Sequence, residues 1–201
     1  MTREQYLSSI RRRIGKAPEG TVFTASDFTD IAPQGVVKMA LSRLVQENRI
    51  RRVMRGVYDK PEYSKFLNEY AAPQIDKVAR AIGKNNGWTV IPYGEAAANL
   101  LGLSTQVPAK WIFATDGPYK EYRCGTAEIR FKHVANKDIT GLSFKSALLI
   151  QALKALGSTG LNEQVIRHLS SNLTPKEKQM ILKETKGATA WVSGTIREIC
   201  A

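Results

Sequence analysis

Within its first sixty residues the sequence changes periodicity from helix to strand to helix, and then ends in a basic hairpin. Tyr6, Leu7, Ile10 and Ile14 recur at helical spacing, which predicts an amphipathic opening helix. Arg11, Arg12 and Arg13 follow one another and cannot all share its apolar face. Gly15 and the stretch Ala17-Pro18-Glu19-Gly20 stop it. Thr21-Val22-Phe23 reads as a short strand. Thr24 suits a helix N-cap, its hydroxyl accepting from the backbone N–H near Asp27, while Asp27 adds negative charge at the positive end of the helix. Phe28 and Ile31 supply the buried side of that short second helix. Asp30 to Pro33 breaks it, and Pro33 suits the first turn of the next.

The third helix is predicted from Gln34 to Asn48. Val37, Ala40, Leu41, Leu44 and Val45 form a stripe at i, i+3, i+4, i+7 and i+8. Gln34, Lys38, Ser42 and Gln46 fall on the opposite side, Arg43 and Arg49 lie near its edges, and Asn48 can close the helix in a left-handed turn. In the following run IRRVMRGVYDKP, Ile50, Val53, Val57 and Tyr58 fit two short strands with Arg55-Gly56 at the turn. This order of elements predicts a winged helix-turn-helix. Its second motif helix would lie in the major groove of DNA and its hairpin against the flanking backbone. Residues 1–60 hold 12 Lys and Arg against 6 Asp and Glu, a net +6, within a chain of 201 residues that carries +12. Such a charge favours a polyanionic partner, because basic residues displace the counterions condensed on phosphates. The groove-facing set is then Gln34, Lys38, Ser42 and Arg43, with Arg51, Arg52 and Arg55 holding the wing to the backbone. Gln or Arg can read adenine or guanine edges, and Lys and Ser suit phosphates.

Two runs carry a resemblance. VFTASDFTDIAPQGVVKMALSRLVQENRIRRVMRGVYDKP resembles the N-terminal domain of AbiEi-like antitoxins of type IV toxin–antitoxin systems. GEAAANLLGLSTQVPAKWIFATDGP, followed by IRFKHV, is similar to a short bacterial and plasmid-borne family described as AbiEi-like antitoxins or transcriptional regulators. The resemblance runs from about Thr21 to about Val134. It implies a repressor that binds its own promoter, often at inverted repeats, and opposes a nucleotidyltransferase-like toxin, directly or without touching it.

The second half reads as α+β, with a small, mainly antiparallel sheet and a helical tail. Pro61 to Gln74 has two prolines and the aromatics Tyr63, Phe66 and Tyr70, which suggests a linker whose rings dock on a neighbouring surface. Ile75, Val78, Ala79 and Ile82 predict a helix. Trp88 to Pro92, Lys110 to Ala114, Glu121 to Cys124 and Glu128 to Val134 predict strands. Ala96 to Leu101 predicts a short helix stopped by Gly102. A helix over Leu142 to Leu156 would bury Phe144, Leu148, Leu149 and Leu153, and another follows over Asn162 to Leu173. Thr174-Pro175-Lys176-Glu177 has capping-box spacing, and Met180, Ile181, Trp191, Ile196 and Ile199 are expected to pack the last helices.

Catalytic patterns are weak. Asp116 with Glu128, Arg130 and Lys132 loosely matches a metal-dependent nuclease, in which paired carboxylates hold Mg²⁺ and a lysine stabilises developing charge. Arg130 breaks the usual acidic-x-Lys spacing, and a hairpin with a charged solvent face explains the same residues. Asn99 and Gln106 flank the LLGLS segment and suit helix capping and loop satisfaction better than ligand binding. Cys124, Cys200, His133 and His168 are dispersed and form no metal-ligand spacing. No phosphate-binding GxxxxGK[ST] loop occurs, and no stretch approaches the ~20 apolar residues that span a bilayer.

The expectation is therefore a cytoplasmic, non-enzymatic, two-domain repressor of α+β class, without cofactor or metal. Residues 1–60 would form the winged helix-turn-helix, 61–75 a linker, and 76–201 a domain for dimerisation, partner contact or toxin neutralisation. Double-stranded operator DNA is the expected partner. The alternatives are a winged adaptor that binds a toxin or RNA and, weaker still, a nuclease.

Overall fold

A computed structural model of the chain describes residues 2–105 and 110–201. The described residues form eight α-helices and three small sheets, so the class is mixed α+β. They divide into two compact units, Met1–Trp88 with Arg123–Ala127, and Thr89–Tyr122 with Glu128–Ala201.

In the first unit, α1 (Arg3–Lys16) starts with a capping box in which Gln5 Oε1 accepts the Thr2 N–H at 2.7 Å. It buries Ile10 and Ile14. Strand β1 (Val22–Thr24) leads into a single 3₁₀ turn, Ala25–Phe28, then α2 (Gln34–Gln46), β2 (Arg51–Met54) and β3 (Val57–Asp59). The sheet order is β1-β3-β2, and both pairings are antiparallel. Phe28, Val37, Leu41 and Leu44 are completely buried, so the inward stripe read from the sequence is the observed core face of α2. Asn48 takes φ +54°, and the Arg49 N–H reaches the Leu44 carbonyl at 3.0 Å, closing the helix in the left-handed manner expected of asparagine. Thr24 forms a capping box with Asp27, its side chain facing the Asp27 backbone N–H as expected. The Asp27 carboxylate closes the box, Oδ2 accepting from the Thr24 N–H at 2.7 Å and from its hydroxyl at 3.1 Å.

The segment expected to be a linker lies inside this unit. It holds a hairpin of β4 (Tyr63–Ser64) and β5 (Glu69–Tyr70). The aromatics do not dock as expected: Tyr63 and Tyr70 pack edge-to-face on each other at 5.3 Å while staying exposed, and Phe66 is 95% exposed at the tip. Helix α3 (Ile75–Asn86), assigned from the sequence to the second domain, belongs to the first unit. It buries Val78, Ala79 and Ile82, and Lys84 Nζ meets Asp27 Oδ1 at 2.5 Å.

The second unit contains β6 (Val90–Pro92), α4 (Glu95–Leu100), β7 (Trp111–Thr115), β8 (Lys120–Cys124) and β9 (Ala127–His133), then α5 (Phe144–Leu156), α6 (Glu163–Ser171), α7 (Pro175–Glu184) and α8 (Ala190–Cys200). The turn of the β8–β9 hairpin is the Arg123–Ala127 segment grouped with the first unit. The strand order is β6-β7-β9-β8. β6 pairs antiparallel with β7. β8 and β9, joined by two residues, can only be antiparallel neighbours. β7 and β9 pair in parallel, from Trp111↔Ile129 to Thr115↔His133, so the sheet is mixed.

Leu149, Ile150 and Leu153 of α5 pack with Ile181, Ile196 and Ile199, while Leu148 packs with Ile91, Ala97 and Ile139. Phe144 and Trp191 were expected in this core but lie at the surface, 37% and 36% exposed, each in the first turn of its helix. Cys124 and Cys200 are free, buried thiols, and burial raises the pKa of both. Among the described residues no helix is long and apolar enough to cross a membrane.

At the start of α7 the predicted capping box forms. Thr174 N–H donates to Glu177 Oε2 at 2.9 Å, and Lys145 Nζ caps the other carboxylate oxygen. The lysine first, and then the Thr174 donors, hold the Glu177 carboxyl down to about 2. A depressed carboxyl pKa contributes stability above its unfolded value, and that stability is lost as pH falls toward the folded pKa. Melting curves taken between pH 5 and 2 should therefore fall more steeply for the wild type than for Glu177→Gln. Parallel curves would mean that the carboxylate contributes nothing to the fold.

Candidate nucleic-acid interface

Helical geometry separates the two faces of α2. Leu41 and Leu44 are fully buried, while Gln34, Lys38 and Ser42, stacked at intervals of four, are all exposed. None of these three side chains has a hydrogen bond or ion pair to another described residue. Pro33 is the N-cap residue and has no side-chain acceptor, so the helix begins without a side-chain cap next to Gln34. Arg43 is 61% exposed but lies 3.5 Å from Glu47, its neighbour one turn on. Glu47 in turn holds Arg11 of α1 through two 2.7 Å bonds. Arg43 is thus a tethered cation rather than a free one.

The hairpin arginines divide sharply. Arg51 is not free on the hairpin. It faces Asp59 across the β2–β3 ladder, donating through Nε at 3.1 Å and Nη2 at 2.6 Å, with a further bond to the Ala71 carbonyl at 3.0 Å. Asp59 is only 2% exposed, so Arg51 is the counterion of a buried carboxylate. Arg52 and Arg55 are exposed and have no partner among the described residues. An irregularity between Arg52 and Met54 breaks the strand alternation. Gly56, at φ +77°, permits the tight turn beside Arg55.

Among the described residues, the cations left unassigned in the sequence include a neighbouring pair without partners. Arg12 and Lys16 lie one turn apart on α1, both exposed, at a concavity of about 450 Å³. Of the three consecutive arginines, Arg11 is engaged by Glu47. Arg13 is engaged by Asp30 at 2.7 and 2.6 Å, which raises the arginine pKa and lowers that of the carboxyl. The i, i+4 spacing of Arg12 and Lys16 was the available signal. It was masked because nothing local shows which arginines find acidic partners.

The nuclease-like residues are not assembled. In the parallel register Glu128 lies one residue before the Trp111↔Ile129 pair and Asp116 one residue after Thr115↔His133. They are therefore about six residues apart along the strands, roughly 20 Å at ~3.3 Å per residue, too far to share one ion. Asp116 accepts the Thr89 N–H at 2.8 Å, Glu128 binds Arg130 at 3.1 Å, and Lys132 donates to the Tyr93 hydroxyl at 2.7 Å. Among the described residues no three His, Cys, Asp or Glu side chains are grouped to hold a metal. His133 bonds the Gly117 carbonyl at 2.9 Å and His168 the Leu101 carbonyl at 3.0 Å. Asn99 donates to the Ser104 carbonyl at 2.9 Å, the loop-satisfying role expected of it. Gln106 lies outside the described residues.

Residues 9–182 match the model of a protein family whose description is a family of unknown function, DUF6088. The match runs through both units. No curated protein matches the chain significantly.

Proposed function

The chain belongs to the DUF6088 family, and we propose that it is a sequence-specific DNA-binding repressor, the AbiEi-like antitoxin of a type IV toxin–antitoxin system that controls its own operon. In this reading the first unit is a winged helix-turn-helix. The order α1, β1, 3₁₀ turn, α2, β2, β3 with sheet order β1-β3-β2 supports it. α2 is the groove helix, the β2–β3 hairpin is the wing, and the second unit serves dimerisation, partner contact or toxin neutralisation. A helix with its side chains is ~10–12 Å across, which suits the ~12 Å major groove.

The observation that carries the reading is the outward face of α2. Gln34, Lys38 and Ser42 lie along one exposed side of a helix whose other side is core, with donors and acceptors that no group of the unit engages. A hairpin with unpaired Arg52 and Arg55 follows directly. Arg12 and Lys16 add unneutralised charge on the same unit and would strengthen backbone attraction.

The test is binding-site selection from randomised duplexes, followed by titration of selected and random DNA at several salt concentrations. Arg52→Ala with Arg55→Ala should weaken both DNAs about equally and flatten log K against log salt by roughly one to two units. Gln34→Ala should change the base preferred at one position, at a loss of roughly 1–3 kcal/mol there, with little loss on random DNA. Lys38→Ala should weaken all sequences evenly. If the folded variants select the wild-type site with unchanged affinity, this face does not read DNA. The antitoxin part is tested separately, by repression of the chain's own promoter and rescue of cells expressing an adjacent nucleotidyltransferase-like gene.

A further inference from the structure

A helix face that meets only water is expected to hold polar side chains and good helix formers. Two residues on the outward face of α2 depart from this. Met39 is 55% exposed. The other apolar side chains of the helix, Val36, Val37, Ala40, Leu41, Leu44 and Val45, lie in the core or pack against it. Single exposed apolar side chains are common on protein surfaces, so exposure alone does not single Met39 out. What does is the residue one turn before it.

Gly35 is exposed and lies in the first turn of α2. Its φ is not positive, and among the described residues a Cβ built on it would meet no atom within 4 Å. Neither backbone conformation nor packing within the chain calls for a glycine there, and glycine weakens a helix relative to alanine. Helical side chains lean toward the N-terminus, so Met39 extends over the turn that holds Gly35. Ser42 and Arg43 flank it at i+3 and i+4. An apolar side chain thus stands beside bare backbone, on the face that also presents Gln34 and Lys38.

Charge decides what such a face fits. α2 contains no acidic residue, and its charges are Lys38 and Arg43. The unpaired Arg52 and Arg55 follow on the hairpin. A polyanion complements this set, and duplex DNA offers one apolar group among the base edges of its major groove, the thymine 5-methyl. Methionine is unbranched and polarizable, so it can adapt its side chain to such an edge. A missing Cβ lets another molecule come close to the backbone. On the DNA-binding reading of α2, we infer that Met39 is a specificity-determining residue that reads the 5-methyl group of a thymine, with Gly35 as the clearance that admits the base edge.

The experiment starts from the duplex that the full wild-type chain recovers in binding-site selection. Each thymine is replaced in turn by deoxyuridine, which lacks only the 5-methyl group, and affinity is measured at one fixed salt concentration. The wild type should lose about fourfold at one position, the worth of one buried methyl-sized group. Met39→Ala should melt like the wild type, bind the thymine duplex about fourfold more weakly and be indifferent to that replacement. Gly35→Ala should melt at or above the wild-type temperature. It should nevertheless lose about fivefold or more in affinity for the selected duplex, because the added methyl group closes the gap. Three results overturn the inference and leave the DNA-binding reading standing: a wild type indifferent to deoxyuridine at every position, the same deoxyuridine loss in Met39→Ala as in the wild type, or unchanged affinity of Gly35→Ala. A wild type that selects no duplex from the random pool overturns the DNA-binding reading and this inference with it.

Discussion

Arg51→Ala should destabilise the first unit by about 3 kcal/mol, the lower end of what removing one member of a buried ion pair costs. The cause is Asp59, 2% exposed, whose carboxylate is held by Arg51 through Nε and Nη2. Without the guanidinium that carboxylate is left charged in the core, and the Ala71 carbonyl loses its 3.0 Å donor as well. The arginine is itself about one-third exposed, so water can partly replace it, which is why the lower figure applies. Amide protection in β2 and β3 by hydrogen exchange is the appropriate measurement, because it reports this unit without requiring the whole chain to unfold as one. Arg52→Ala, one residue along, should leave that protection unchanged. If Arg51→Ala keeps wild-type protection and instead loses DNA affinity, Arg51 is a phosphate contact and the assignment given to its pairing is wrong.

Leu44→Ala should cost roughly 2–5 kcal/mol, as other truncations of fully buried leucines do, because the surrounding core closes only partly over the gap. Leu44 is completely buried and belongs to the cluster that includes Phe28, Leu41 and Ile10. Its carbonyl also accepts the Arg49 N–H that closes α2, so loosening this turn would free the start of the hairpin. Urea titration should show the loss directly. Ser42→Ala, on the opposite face, should change the midpoint very little. An unchanged midpoint for Leu44→Ala would mean that the inward face has been misassigned, and the outward set Gln34, Lys38 and Ser42 would be misassigned with it.

How much could be read from the sequence alone depended on the range of the interactions involved. α2 was legible in register and rotation, because a 3.6-residue stripe and a left-handed asparagine are local signals. The capping box at Thr174 was legible for the same reason. The fate of Arg51 was not. It depends on the β2–β3 register that sets it opposite Asp59, eight residues on, and composition makes Arg51, Arg52 and Arg55 look alike. The parallel β7–β9 pair was also hidden. Strand patterns state which residues alternate, not which strand is the neighbour, and β9 lies beside β7 although β8 comes between them in the chain. The docking expected of Tyr63, Phe66 and Tyr70 followed from their apolar character, but a two-stranded hairpin of two residues each has no face on which to bury them. The burial of Gln151 in α5 carried no sequence signal, since a polar residue on a helix reads as solvent-facing until its surroundings are known.

The two thiols are two internal clocks. Cys124 ends β8 and Cys200 ends α8, both free and buried. Burial keeps each proton on its sulfur and so suppresses the thiolate that reacts. An alkylating reagent can therefore reach either sulfur only in the moments when the structure around it opens, and the rate of modification counts those moments. Mass spectrometry separates the two sites by peptide, so a single time course reports two opening equilibria. The opening of the β8–β9 hairpin and that of α8 can then be followed side by side in one chain of unaltered sequence.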